Sequence, residues 1–75
     1  MRDKRSRFVE LAQARVTKAT QTIRLIGNLA NQNNYAYSED DAQKILGALD
    51  GEMKLLKAKF HTALSKRAKD EFKLD

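Results

Sequence analysis

The chain has 75 residues, no cysteine, no proline and a formal net charge of +5. This length allows one domain, so we predict a single domain over residues 1–75. The absence of cysteine excludes disulfides and thiolate sites, and the lone His61 cannot build a structural zinc site. No apolar run approaches the ~20 residues that span a bilayer, and no hydrophobic signal region follows the basic start. We therefore expect a cytoplasmic protein that does not enter a membrane.

A heptad pattern predicts the first helix, from about residue 6 to about residue 30. Apolar residues recur at alternating steps of three and four, which is the spacing of one helix face in a coiled coil. This first seam is Val9, Ala12, Val16, Ala19, Ile23, Ile26 and Ala30. Gly27 lies within the helix and indicates a kink or an early end.

A turn is predicted over residues 31–38. Asn31, Asn33 and Asn34 favour a helix stop, because asparagine tolerates the left-handed conformation. Ser38 is a good N-cap for the helix that follows, and the acidic residues 39–41 complement the positive end of its dipole.

The second helix is predicted over residues 39–72, with a seam of the same period. This second seam is Ala42, Leu46, Leu49, Met53, Leu56, Phe60 and Ala63. Two matching seams joined by a short turn predict an all-α fold, an antiparallel two-helix hairpin that resembles a coiled coil. Because so short a chain buries little apolar surface, we expect two hairpins to dimerise into a four-helix bundle.

Small and apolar residues away from the seams predict a further helix-packing interface. Its members are Gly47, Gly51, Leu55, Ala58 and Leu25. A glycine inside a helix costs about 1 kcal/mol relative to alanine, which close packing of another helix would offset. The packing helix would come from a second copy or a different protein, and the alternative is a weakness tolerated on a solvated face.

Positive charge is concentrated towards the two ends of the chain. Residues 1–18 and 57–75 together carry twelve basic and five acidic side chains, and antiparallel folding would bring them to one end. The predicted basic patch is Arg5, Arg7, Arg15, Lys59, Lys66 and Arg67. It is interpreted as a solvated face, as a contact for an acidic protein or as a contact for nucleic acid. No DNA-reading motif accompanies it.

Tyr35 and Tyr37 lie in the predicted turn, two residues apart. They either fold back to cap the open end of the hairpin or contact a partner, since tyrosine is enriched at binding hot spots.

The sequence lacks the patterns of catalysis. It has no Gly-rich phosphate loop and no nucleophile–histidine–acid set. We therefore predict a protein that is not an enzyme, with no cofactor, no metal and no small-molecule substrate.

Two segments carry a resemblance to other proteins. The segment Ile23-Arg24-Leu25-Ile26-Gly27-Asn28-Leu29 and the later segment Asn31-Gln32-Asn33-Asn34-Tyr35-Ala36-Tyr37-Ser38-Glu39-Asp40-Asp41 resemble a group of short, uncharacterised bacterial helical proteins. Members of that group often occur near mobile elements. The resemblance implies a small regulatory or accessory protein and carries over no catalytic residue.

These features predict a protein-interaction module that regulates or assists another protein by binding it, and that also forms a homodimer. The alternative is an accessory protein that binds nucleic acid through the basic end formed by the two termini.

Overall fold

The computed structural model describes residues 3–71, with side chains over residues 3–66. Within that part of the chain it consists of two helices, α1 over Lys4–Asn28 and α2 over Glu39–Glu71, and it contains no strand. The all-α class and the order of helix, turn and helix are confirmed. The chain divides into two compact units, Met1–Ala36 and Tyr37–Asp75, each of which holds one helix. Antiparallel pairing, the single domain and the four-helix bundle stay predictions.

The start of α1 lies two residues earlier than the heptad pattern predicted. Asp3 is the N-cap, and its side-chain oxygen accepts a hydrogen bond from the Ser6 backbone N–H at 2.7 Å. The Arg7 N–H also donates to the Asp3 carbonyl, at 3.2 Å. An aspartate at this position supplies an acceptor to one of the free N–H groups of the first turn, so the helix begins at Lys4.

The end of α1 lies close to Gly27, at Asn28 rather than at residue 30. The Ala30 N–H donates to the Gly27 carbonyl at 3.0 Å, and the Leu29 N–H donates to the Ile26 carbonyl at 3.0 Å. These bonds span three residues rather than four, so the backbone tightens and leaves the α-helix there. Gly27 thus lies just before an early end of the helix.

The turn is built around Asn31, by a mechanism other than the predicted one. No residue in the described part of the chain has a positive φ, so the asparagines do not use the left-handed conformation. Instead, the Asn31 side chain accepts from the Asn33 N–H at 3.0 Å, and the Asn31 carbonyl accepts from the N–H groups of Asn34 and Tyr35. Asn31 thus turns the chain by accepting hydrogen bonds, and its side-chain oxygen takes the place of a backbone carbonyl in the turn.

The first turn of α2 matches the prediction. Ser38 caps the helix through its hydroxyl, and Glu39, Asp40 and Asp41 occupy the first turn. Asp40 also pairs with Lys44 one turn later, at 3.2 Å, where both side chains are exposed. Such an exposed pair contributes a few tenths of a kcal/mol at most, roughly 0.3–0.5. The helix extends to Glu71, and the predicted terminal residue 72 lies outside the described residues.

Candidate interaction surfaces

The seam of α1 forms one exposed apolar face of that helix. Val16 is 63% exposed and Ile23 is 52% exposed, whereas Val9, Ala12 and Ile26 are half-buried. Among the described residues of α1, none on this face is fully buried. In proteins, most of the stability of a helix of this length comes from packing its apolar face against another surface. The seam of α1 therefore needs a partner surface to cover it.

The seam of α2 bears larger side chains than the seam of α1. Leu46 is 59% exposed and Phe60 is 52% exposed, while Ala42 and Leu49 are half-buried. These residues keep the period of the pattern over three full heptads. The seam therefore presents a continuous apolar stripe of the kind that pairs with another helix in knobs-into-holes packing.

Gly47, Gly51, Leu55 and Ala58 lie together on α2, on the side opposite its seam, and are called the glycine strip below. At 100° per residue these four positions fall within about 80° of one another. A Cβ atom added to Gly47 or Gly51 would meet nothing within 4 Å, so neither glycine is required by a close approach of the chain to itself. Leu25, the fifth residue of the predicted interface, is exposed on α1 in the other unit.

The predicted basic residues are exposed wherever their side chains are described. Arg5, Arg7 and Arg15 lie on α1, and Lys59 and Lys66 lie on α2. Arg67 belongs to α2, and its side chain lies outside the described residues.

Arg5 makes a contact that the sequence pattern did not single out. Its guanidinium carbon lies 5.8 Å from the centre of the Phe8 ring, within the range of a cation–π contact. The three-residue spacing that places two side chains side by side on a helix was the available signal. This contact occupies one face of Phe8, the only aromatic residue of α1.

Charge divides α2 into two halves. Residues 39–52 carry five acidic and one basic side chain, whereas residues 53–66 carry four basic and no acidic side chains. All of these side chains are exposed. Sequence reasoning grouped the basic residues by chain end and so overlooked the division within this one helix.

The two tyrosines of the turn differ in exposure. Tyr35 is 50% exposed, and Tyr37 is half-buried. The Tyr35 N–H donates a hydrogen bond to the Asn31 carbonyl, so the turn fixes the position of the Tyr35 backbone. The predicted contact through these rings stays a prediction.

A metal-binding cluster and a membrane-spanning helix are both absent from the described residues. Among its residues, no three histidine, aspartate or glutamate side chains lie together in a way that could hold a metal ion. No helix found there combines the length and the apolar character needed to cross a membrane. One carboxyl group is perturbed: the hydrogen bond from the Ser6 backbone N–H lowers the pKa of Asp3 below its ordinary value.

Comparison with known proteins gives no relative for this chain. No protein-family model matches it, and no curated protein and no solved structure is significantly similar to it.

Proposed function

We propose that this chain is a protein-interaction module without enzymatic activity, which regulates or assists another protein by binding it. The observation that supports this is the exposed apolar face on each helix, with Ile23 on α1 and Leu46 and Phe60 on α2 more than half exposed. Burying a large apolar side chain completely is worth about 1.5–3 kcal/mol, and each of these partly covered side chains would contribute a fraction of that value. The α2 seam has five such large residues, so a partner that covers it gains a favourable apolar contact. We expect the protein to act in the cytoplasm.

The glycine strip supplies a second surface on α2 for this function. Gly47 and Gly51 carry no side chain and have open space around them, so a helix from another protein can approach the backbone closely. Leu55, beside them, is 60% exposed and would enter the contact as its apolar anchor. The resemblance to short bacterial proteins encoded near mobile elements supports a regulatory or accessory role for that contact.

An affinity experiment in the native host tests this function. Tagged wild-type chain is compared with Gly51→Glu, which places a charge in the strip, and with Gln21→Glu, which makes the same charge change on the face of α1 opposite its seam. A partner should be retained by the wild type and by Gln21→Glu and lost with Gly51→Glu. The same recovered proteins with all three chains, or none with any, would refute the proposed contact.

A second candidate is binding of nucleic acid, which the exposed basic residues Arg5, Arg15 and Lys66 favour. Binding through phosphates would weaken steeply with salt, and the double substitution Arg5→Glu with Lys66→Glu would abolish it. Lack of any shift of DNA or RNA at about 50 mM salt would remove this candidate. The contact between Arg5 and Phe8 already occupies one face of that ring, which leaves less of it for base stacking.

A further inference from the structure

We propose that the seam of α2 pairs with the seam of α2 from a second copy, antiparallel, in a single register that the flanking charges select. The inference rests on the proposed function, which it deepens by naming one partner and its arrangement. Its starting point is the division of α2 into an acidic half, residues 39–52, and a basic half, residues 53–66.

The division of charge favours opposite directions for the two helices. When two copies run antiparallel, the acidic half of each lies beside the basic half of the other, which lowers the electrostatic energy of the pair. When they run parallel, like halves lie side by side. Antiparallel pairing also sets the helix dipoles in opposition, which is their favourable arrangement.

The heptad positions of α2 fix which side chains flank the seam. Taking Leu46, Met53 and Phe60 as the a positions places Asp50 and Lys57 at e. The same assignment places Glu52, Lys59 and Lys66 at g. In an antiparallel pair, e residues face e residues of the partner and g residues face g residues, so these charged side chains decide the alignment.

One alignment satisfies the charges at the centre of the pair. It is centred between residues 54 and 55, and it sets Asp50 opposite Lys57 of the second copy and Glu52 opposite Lys59 of the second copy. Each pairing occurs twice by symmetry. The apolar layers also fit in size: Phe60 lies opposite the smaller Leu49, Leu46 lies opposite Ala63, and the central layer pairs Met53 with Leu56, which are similar in volume.

The two neighbouring alignments are less favourable. A shift of one heptad in one direction sets Asp50 opposite Asp50 of the second copy and Glu52 opposite Glu52, with no opposite-charge pair to offset them. A shift in the other direction sets Lys57 opposite Lys57 and Lys59 opposite Lys59, and it also sets Glu52 opposite Lys66 twice. Its attractive and repulsive pairs are equal in number, whereas the proposed alignment has four attractive pairs and no repulsive one. In a parallel pair only Glu52 and Lys57 would meet with opposite sign.

In the four-helix bundle expected from the sequence, α2 would lie beside its own copy on one flank and beside an α1 helix on the other, so only one of the two sets of charge pairs could form there. Both sets form when the two α2 seams face each other directly, which is the arrangement proposed. The glycine strip, opposite the seam, stays available to a different protein.

Charge exchange tests the pairing between Asp50 and Lys57. Lys57→Glu alone sets an acidic side chain opposite Asp50 at both symmetric positions. We expect this change to raise the dissociation constant of the dimer about tenfold. Asp50→Lys alone should have the same effect, because it sets a basic side chain opposite Lys57 at both positions. The double variant Asp50→Lys with Lys57→Glu recreates an opposite-charge pair in the antiparallel dimer and should return to within about threefold of the wild type. A parallel dimer would not recover, since the Lys57→Glu change sets a second acidic side chain beside Glu52.

Lys44→Glu is the matched control, because it makes the same charge change at an f position on the outer side of α2. This substitution should leave the dissociation constant of the dimer within about twofold of the wild-type value. Circular dichroism of every variant shows whether the helices have formed. Association that Lys57→Glu leaves unchanged, or that the double variant fails to restore, would overturn the pairing.

A distance measurement gives the orientation without relying on charge variants. The chain has no cysteine, so Gln43→Cys and Lys54→Cys each provide one site for a spin label. In the proposed register two labels at residue 54 lie at nearly the same height, whereas two labels at residue 43 lie about 35 Å apart along the axis. Equal separations at both sites mean a parallel pair and refute the inference. A monomeric wild type refutes it too, while leaving the binding of another protein to be decided by the Gly51→Glu comparison.

Discussion

Ser38 and Asp41 cap the start of α2 reciprocally. The Asp41 N–H donates to the Ser38 hydroxyl at 3.1 Å, and the Ser38 N–H donates to an Asp41 carboxylate oxygen at 3.0 Å. Two donors that the helix itself cannot satisfy are thus paired, as in a capping box with aspartate in the third position. This pair marks where the turn ends and α2 begins.

Removing the cap should destabilise α2. Ser38→Ala deletes the acceptor for the Asp41 N–H, and we expect a loss of about 1 kcal/mol, measured by thermal unfolding followed by circular dichroism. Ser65→Ala makes the same change inside α2, where alanine is the better helix former, and should not lower stability. Equal melting of the two variants would show that the cap contributes nothing.

Acidification should loosen the start of α1. The Ser6 N–H lowers the pKa of Asp3, so the carboxylate form is favoured in the folded helix. A group with a lowered pKa stabilises the fold above its unfolded pKa, and this contribution is lost as the pH falls through the folded pKa. We expect the NMR chemical shift of the Ser6 amide to change as the pH falls through the pKa that Asp3 has in the folded helix. Asp3→Asn keeps an acceptor at the cap and should remove the pH dependence, and a dependence that persists in Asp3→Asn would contradict the assignment.

The glycine strip allows a test that separates helix stability from binding. Gly51→Ala should stabilise α2 by about 1 kcal/mol in dilute, dissociated chain, because its added Cβ meets nothing within 4 Å. If another helix packs closely there, the same substitution should weaken that contact. Isothermal titration with the captured partner measures the second effect, and Gly27→Ala on α1 is the control. A stabilised chain whose binding is unaltered would identify the strip as solvated.

The contact between Arg5 and Phe8 should help to hold the first turns of α1. Arg5→Gln removes the cation from the ring and should lower the stability of these turns by about 0.5 kcal/mol. Amide exchange at residues 6–10 measures the effect, and Arg15→Gln is the control for loss of a positive charge on the same helix. Equal exchange rates in both variants would argue against the contact.

Periodicity predicted both helices because it is repeated over many residues, whereas their ends depend on single hydrogen bonds. Asp3 begins α1 earlier than predicted, since the first apolar position of the seam comes several residues after the cap. Asn31 turns the chain by accepting hydrogen bonds, and asparagine composition alone does not distinguish this from the left-handed conformation. Ser38 was predictable, because a serine followed by an acidic residue three positions later is itself a capping signal.

The sequence predicts where the candidate surfaces lie, but it does not predict what covers them. The seams follow from apolar spacing, and Gly47 and Gly51 stand out because glycine is unfavourable inside a helix. What covers each face does not follow from spacing, since any complementary apolar surface would serve. The charge division of α2 narrows that choice, because Asp50 and Lys57 flank the same side of one seam.

The mass of the purified chain in solution tests the central claim that the α2 seam binds a second copy of the chain. Light scattering over a range of concentrations should give twice the monomer mass of 8.6 kDa for the wild type and for Gln21→Lys, a change on the outer face of α1. Leu49→Lys, in the middle of the seam, should give the monomer mass. A wild type that stays at 8.6 kDa at every concentration, or a Leu49→Lys chain that associates as the wild type does, would contradict the claim.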